Sequence, residues 1–201
     1  HEAQKALEEA VSLSPHTVRR LKRLGEIALG TGDLDVAART LAEVVRKGKY
    51  SDFRDPEDNV KLIKVYVAAG DQEKAARTLR ELDRSMQGME KTEACSAISS
   101  AMVATGAGDR EKALDALNRA LAATKKGAPL SDSILMELAQ TCLENEQQDA
   151  AEAVMGDVMR NASDEGALAR ALEVFERAGM KSVGENLAQQ SLQLAELIFR
   201  G

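Results

Sequence analysis

Apolar residues recur along the 201-residue chain on two scales. Within short stretches they fall three and four apart, which gathers them on one face of a helix. Between stretches the arrangement returns every 38 residues, with Gly32-Asp33, Gly70-Asp71 and Gly108-Asp109 marking the register. Four residues past each Asp stands an alanine, Ala37, Ala75 and Ala113, and the spacing continues to Ala151, where Glu146 takes the place of the glycine. Leu41, Leu79, Leu117 and Met155 follow four residues later, then Val44, Leu82, Ala120 and Val158.

This order of residue types predicts a helical hairpin. Glycine closes one helix in the left-handed conformation that other residues resist. Aspartate caps the next helix by accepting from its free amides. The alanine is small where two helix axes cross closely, and the larger residues after it form one stripe. A single hairpin cannot bury that stripe, so neighbours must stack. The helices ahead of the turns align as well: Leu21, Leu24, Gly25 and Ala28, then Leu62, Ile63 and Tyr66, then Ala97, Ala101 and Ala104, then Leu135, Leu138, Ala139 and Cys142. A fainter last pair carries Leu168, Leu172 and Phe175, then Gly179 and Gly184.

The expectation is an all-α chain of eleven helices over 2–13, 16–30, 33–47, 56–69, 71–86, 90–106, 109–125, 131–145, 148–161, 164–178 and 181–199. It reads as one solenoid over 1–201. Residues 1–15 are the second helix of an incomplete repeat, followed by pairs at 16–55, 56–88, 89–128, 129–163 and 164–201. The longest linker runs from Gly48 to Asp55, and its Tyr50 and Phe53 are expected to tuck back onto the stack.

The repeat resembles the tetratricopeptide (TPR) family, whose pattern has a large residue, Leu-Gly, Tyr, then Ala, Phe, Ala and Pro. Leu21, Leu24, Gly25, Ala28, Ala37, Leu41 and Val44 fit it, as do Leu62, Tyr66, Ala75, Leu79 and Leu82. The opening segment fits through Ala3, Leu7, Ala10 and Pro15, and the step from Ala3 to Ala37 is 34 residues. The resemblance implies a right-handed α-solenoid of antiparallel helix pairs that holds other proteins. The first helix of each pair would line the inner face. Arg19, Lys22, Arg23 and Glu26 in one repeat and Lys61 and Lys64 in the next would then lie there. That face is either an ordinary solvated one or a basic groove for an acidic or carboxylate-ending peptide. Glu26 and Lys64 stand where a two-carboxylate clamp would want asparagine or other residues.

A closer similarity runs through Ser14-Pro15-His16-Thr17-Val18-Arg19-Arg20-Leu21, Leu24-Gly25-Glu26, and Phe53-Arg54-Asp55-Pro56 ahead of Val60-Lys61-Leu62. These stretches resemble the C-terminal half of bacterial response regulators that join a phosphorylatable receiver to TPR repeats. That resemblance implies a cytoplasmic two-component signalling output module, with a receiver domain before residue 1. The competing reading is an assembly or tethering factor for a secretion or pilus complex.

Composition narrows the chemistry. Charged residues make up 30 % and the net charge is −6, which opposes a nucleic-acid surface spread over the whole protein. The longest uncharged run, Ala94 to Gly108, is too short and too polar to span a bilayer. Two cysteines, Cys95 and Cys142, suggest no disulfide framework and suit a reducing compartment. Neither has a histidine close in sequence to act as base, since the only two are His1 and His16. No metal-ligand spacing or cofactor motif stands out. Gly30-Thr31-Gly32 and Gly106-Ala107-Gly108 echo a dinucleotide turn but lack its strand and third glycine, so they read as helix stops. No catalytic residue is expected. The final helix, with Leu187, Leu192, Leu194, Leu197, Ile198 and Phe199, is apolar on more than one side. It is either a cap on the preceding pair, or a dimer contact or a dock for a missing segment.

Overall fold

The computed structural model describes residues 2–13, 17–49, 54–85 and 89–161, with isolated positions between 169 and 189. Among the described residues there are nine helices and no strand. They are α1 (Glu2–Leu13), α2 (Val18–Thr31), α3 (Leu34–Gly48), α4 (Pro56–Ala68), α5 (Gln72–Ser85), α6 (Glu90–Gly106), α7 (Arg110–Lys125), α8 (Asp132–Glu144) and α9 (Gln148–Asn161). Each lies within two residues of its expected bounds. The all-α, TPR-like class is the one observed. The last two expected helices, the C-terminal dimer contact and the placement of Tyr50 and Phe53 lie outside the described residues.

The turns between α2 and α3, α4 and α5, and α6 and α7 share one design. Gly32, Gly70 and Gly108 take φ of 80°, 74° and 73°. The following Asp33, Asp71 and Asp109 donate their N–H back to the carbonyls of Ala28, Tyr66 and Ala104 at 2.8–2.9 Å. That bond closes the helix end on a left-handed residue. The same aspartates then accept from the N–H of Val36, Lys74 and Lys112 and cap the next helix. Between α8 and α9 the bond recurs, Gln147 N–H to Cys142 C=O at 2.8 Å, although Glu146 stands in the glycine place. Glu146 accordingly sits at φ 61°, the one non-glycine residue of positive φ among the described residues. The hairpin geometry thus prevails over the residue's own preference.

The chain divides into two compact units, His1–Ala116 and Leu117–Gly201. In the first, α2 packs on α1 and α3, α4 on α3 and α5, and α6 on both α4 and α5. In the second, α8 and α9 form the hairpin. The alanines that mark the repeat, Ala37, Ala75, Ala113 and Ala151, are all 0 % exposed. The large residues after them, Leu41, Leu117 and Met155, are buried to within 1 %, while Leu79 is half-buried. Leu24 and Leu62 are buried, and Tyr66 packs at the edge of a cluster formed by Ala28, Ala37, Leu41, Leu62 and Val65. Gly25 permits a close approach of α2 and α3. A Cβ there would lie 2.7 Å from Leu41 Cγ, so α2 and α3 meet where only glycine fits.

Two substitutions probe this scheme. Ala75→Leu is expected to destabilise the chain by about 1–3 kcal/mol through overpacking at a closed crossing, read as a lower urea midpoint. Glu146→Gly is expected to raise stability by about 0.5–1 kcal/mol, since it relieves a left-handed strain larger than the entropy glycine adds to the unfolded chain. Equal melting of wild type and the Glu146→Gly variant would show that the turn carries no such strain.

Candidate functional site

The charged positions expected on the first helices of the pairs are set by the start of α4. Asp55 is its N-cap and accepts from the Glu57 N–H at 3.1 Å. Pro56 follows at the first turn, where its fixed φ suits the helix and its missing N–H costs nothing. Glu57 and Asp58 complete the turn, where the helix dipole favours negative charge. Three carboxylates therefore crowd one helix end. Glu57 and Asp58 are each only 4 % exposed, so they require compensation.

Two lysines from the flanking first helices supply it. Lys22 of α2 places its Nζ 2.7 Å from Asp58 Oδ1 and 3.3 Å from Asp55 Oδ2. Lys91 of α6 places its Nζ 3.2 Å from Asp55 Oδ1 and 3.0 Å from Glu57 Oε1. Asp55 thus joins α2, α4 and α6 through its two oxygens. Half a helix further along, Lys61, 8 % exposed, pairs with Glu26 Oε1 at 2.6 Å. Glu26 also lies 3.7 Å from Arg23. Together these contacts form a clasp of alternating charge across the first helices. It bridges α2 and α4, whose backbones come together mainly by way of α3.

Electrostatics follow from this packing. Burial would push the Asp55 carboxyl up, but the Glu57 amide, Lys22 and Lys91 outweigh it and hold it below the usual range. At Asp58 burial prevails over Lys22, and the carboxyl is raised. Burial likewise opposes the charge of Lys22 and Lys91, yet their carboxylate partners raise both above the usual lysine value. The consequences for stability oppose one another. The Asp55 contribution is present above its unfolded pKa and is lost as pH falls through the lower folded value. The Asp58 contribution is largest in acid and is lost as pH rises through the higher folded value.

Each expected site residue can now be placed. Lys22, Lys61 and Glu26 are engaged in the clasp. Arg19 and Arg23 are exposed on α2, Arg23 with 67 % of its side chain in solvent, and Lys64 is half-buried on α4. The cations are thus interleaved with carboxylates. Asp55, Glu57, Asp58 and Lys91 belong to the same arrangement but did not emerge from the cation count. The run Asp55-Pro56-Glu57-Asp58 was their visible signal.

The thiols are unsuited to nucleophilic work. Cys95 and Cys142 are both 0 % exposed. Burial pushes Cys95 up to about 12, with Glu57 adding to the effect, and Cys142 up to about 11. Among the described residues no group of three His, Cys, Asp or Glu is placed to hold a metal ion. No described helix is long and apolar enough to cross a membrane.

The geometry defines a protein of stacked helical hairpins, and comparison with known families agrees. Residues 1–52 and 100–157, more than half of the chain, match the model of the tetratricopeptide repeat. The chain belongs to the tetratricopeptide repeat family. Repeats of this kind hold other proteins or peptides. No curated protein matches the chain.

The clasp makes a directional prediction. Lys22→Met leaves Asp58 buried without its cation and is expected to cost about 1–3 kcal/mol at neutral pH. Adding Asp58→Asn should recover part of that loss, and acidification through the Asp58 pKa should shrink it. Urea denaturation of the double-mutant cycle at two pH values provides the check. Additive losses, unchanged in acid, would mean that the two groups do not interact.

Proposed function

We propose that the chain is a protein-interaction scaffold that grips an acidic partner along the first-helix face of α2 and α4. The reading is carried by the exposed guanidinium groups of Arg19 and Arg23, the latter only loosely held by Glu26 at 3.7 Å, while Lys22 and Lys61 are turned closely to carboxylates. Guanidinium groups pair carboxylates two bonds at a time, so two of them on one helix give orientation as well as attraction. The clasp beneath fixes the relative positions of α2 and α4 and so pre-organises the face. Lys64 stands on α4, half-buried and with a partner of its own.

The chain further reads as the output half of a two-component response regulator. Its support is the similarity of the Ser14–Leu21, Leu24–Glu26 and Phe53–Leu62 stretches to the TPR half of such proteins. In that arrangement a receiver domain before residue 1 controls access to the face by its phosphorylation.

The test uses the exposed arginines, of which only Arg23 meets the clasp, through its 3.7 Å contact with Glu26, a solvent-exposed pair that adds little to stability. Arg19→Glu with Arg23→Glu is expected to weaken retention of the captured acidic partner by roughly tenfold or more, the value of about one charge-assisted bond. Helicity and melting temperature should be unchanged, and added salt should mimic the effect. Retention that ignores both the mutations and the salt would overturn the assignment.

A further inference from the structure

A recess lies on the other side of α4 from the clasp. From Asp55, lining positions follow at Asp58, Asn59, Leu62 and Tyr66, one helical stripe. At about 100° per residue this stripe points roughly opposite to Glu57, Lys61 and Lys64. Its walls are the end of α3 and the middle of α5. Each of these helices packs on α4, yet they make little contact with one another. The cleft between them has a volume of about 340 Å³, within the range of ligand sites.

Its chemistry is uneven in a useful way. Ala42, Val45, Leu62 and the Tyr66 ring give it an apolar floor. Three carboxylates line it, but Asp55 and Asp58 are committed to Lys22 and Lys91, which leaves Glu81. Four cations line it as well. Arg46 is held by Glu43 through two bonds of 2.6 and 2.7 Å, and Lys49 has a partner of its own. Arg54 and Arg77 have no carboxylate within ion-pair distance among the described residues. The uncommitted charge is therefore positive. The Asn59 amide, half-buried on the floor, also has no hydrogen-bond partner among the described residues. An amide presents one donor and one acceptor side by side, the complement of a peptide group.

Length selects the occupant. From Asp55 to Tyr66 the stripe runs about 16 Å along the α4 axis, which an extended chain covers in about five residues. We propose that the α3–α4–α5 cleft binds a short extended acidic segment of another protein. One apolar side chain lies on the Leu62–Tyr66 floor, the segment's main chain bonds to Asn59, and its carboxylates meet Arg54 and Arg77. This surface is separate from the α2 face, and the two assignments stand or fall independently.

The whole chain would be tested against an array of hexapeptides that carry a Leu or Phe between two Glu, with matched peptides carrying Lys in place of Glu. The Glu peptides should be retained in preference to the Lys peptides. For the best of them in solution, Arg54→Glu or Arg77→Glu should each raise Kd by about tenfold, as expected for one lost charge-assisted bond. Asn59→Ala should weaken binding, and the Arg19→Glu, Arg23→Glu variant should bind as wild type does. Arg77 is exposed, so its variant should keep the wild-type melting temperature. Equal retention of Glu and Lys peptides, or none at all, would overturn the proposal. So would a selected peptide lost with the α2 arginines but indifferent to Arg54 and Arg77, which would assign it to the first-helix face.

Discussion

Complete burial of one small residue per hairpin is the constraint on which the fold rests. Ala37, Ala75, Ala113 and Ala151 are closed to solvent completely. A larger side chain at any of them would have to displace packed neighbours. The left-handed turn four or five residues earlier sets the phase in which the alanine arrives. Turn and buried alanine thus act together, and each hairpin repeats both. The turn survives at Glu146, whose residue type opposes it. The packing of the hairpin is therefore worth more than the local strain, as it must be where tertiary contacts override propensity.

Against that apolar frame the start of α4 is an exception. Three carboxylates and two lysines meet there, with Glu57 and Asp58 buried and Asp55, Lys22 and Lys91 half-buried. Buried ion pairs rarely add much net stability, because desolvation cancels most of the attraction. What they add is selectivity. A carboxylate as buried as Asp58 or Glu57 tolerates only arrangements that bring a cation to it, so Lys22 and Lys91 fix the register of α2 and α6 against α4. An apolar contact would allow sliding. The raised carboxyl of Asp58 and the lowered one of Asp55 show the same balance from two sides, burial prevailing in one and partners in the other.

The fold was legible because its determinants are local and periodic. Gly32, Asp33 and Ala37 act within six residues of one another, and the chain states the same phrase again at 70 and 108. The site was legible only in part. Arg19, Lys22 and Arg23 announce charge on α2, but charge on a helix does not say what it faces. Lys22 meets Asp58, 36 residues away, and Lys61 meets Glu26, 35 away. Neither partner is implied by periodicity, since the residues 38 places after Lys22 and Glu26 are Val60 and Lys64. The cations alone therefore left open a solvated face or a basic groove, where the structure has alternating charge. The cleft was less visible still. It arises because α3 and α5 stand apart on α4, which depends on how successive hairpins stack and not on any residue type.

The two faces of α4 share a single helix end. Asp55 caps the helix, holds Lys22 and Lys91 on one side and lines the cleft on the other. Asp58 does the same with Lys22. Lys22 neutralises Asp58 and shares Asp55 with Lys91, and this is what lets Arg54 and Arg77 outweigh Glu81 among the remaining charges of the cleft. Removing Lys22 would return a carboxylate to the cleft's balance and reduce its positive character, although Lys22 does not line it. The electrostatics of the recess are thus set from the opposite side of the helix, by the same ion pairs that hold α2 and α6 in place.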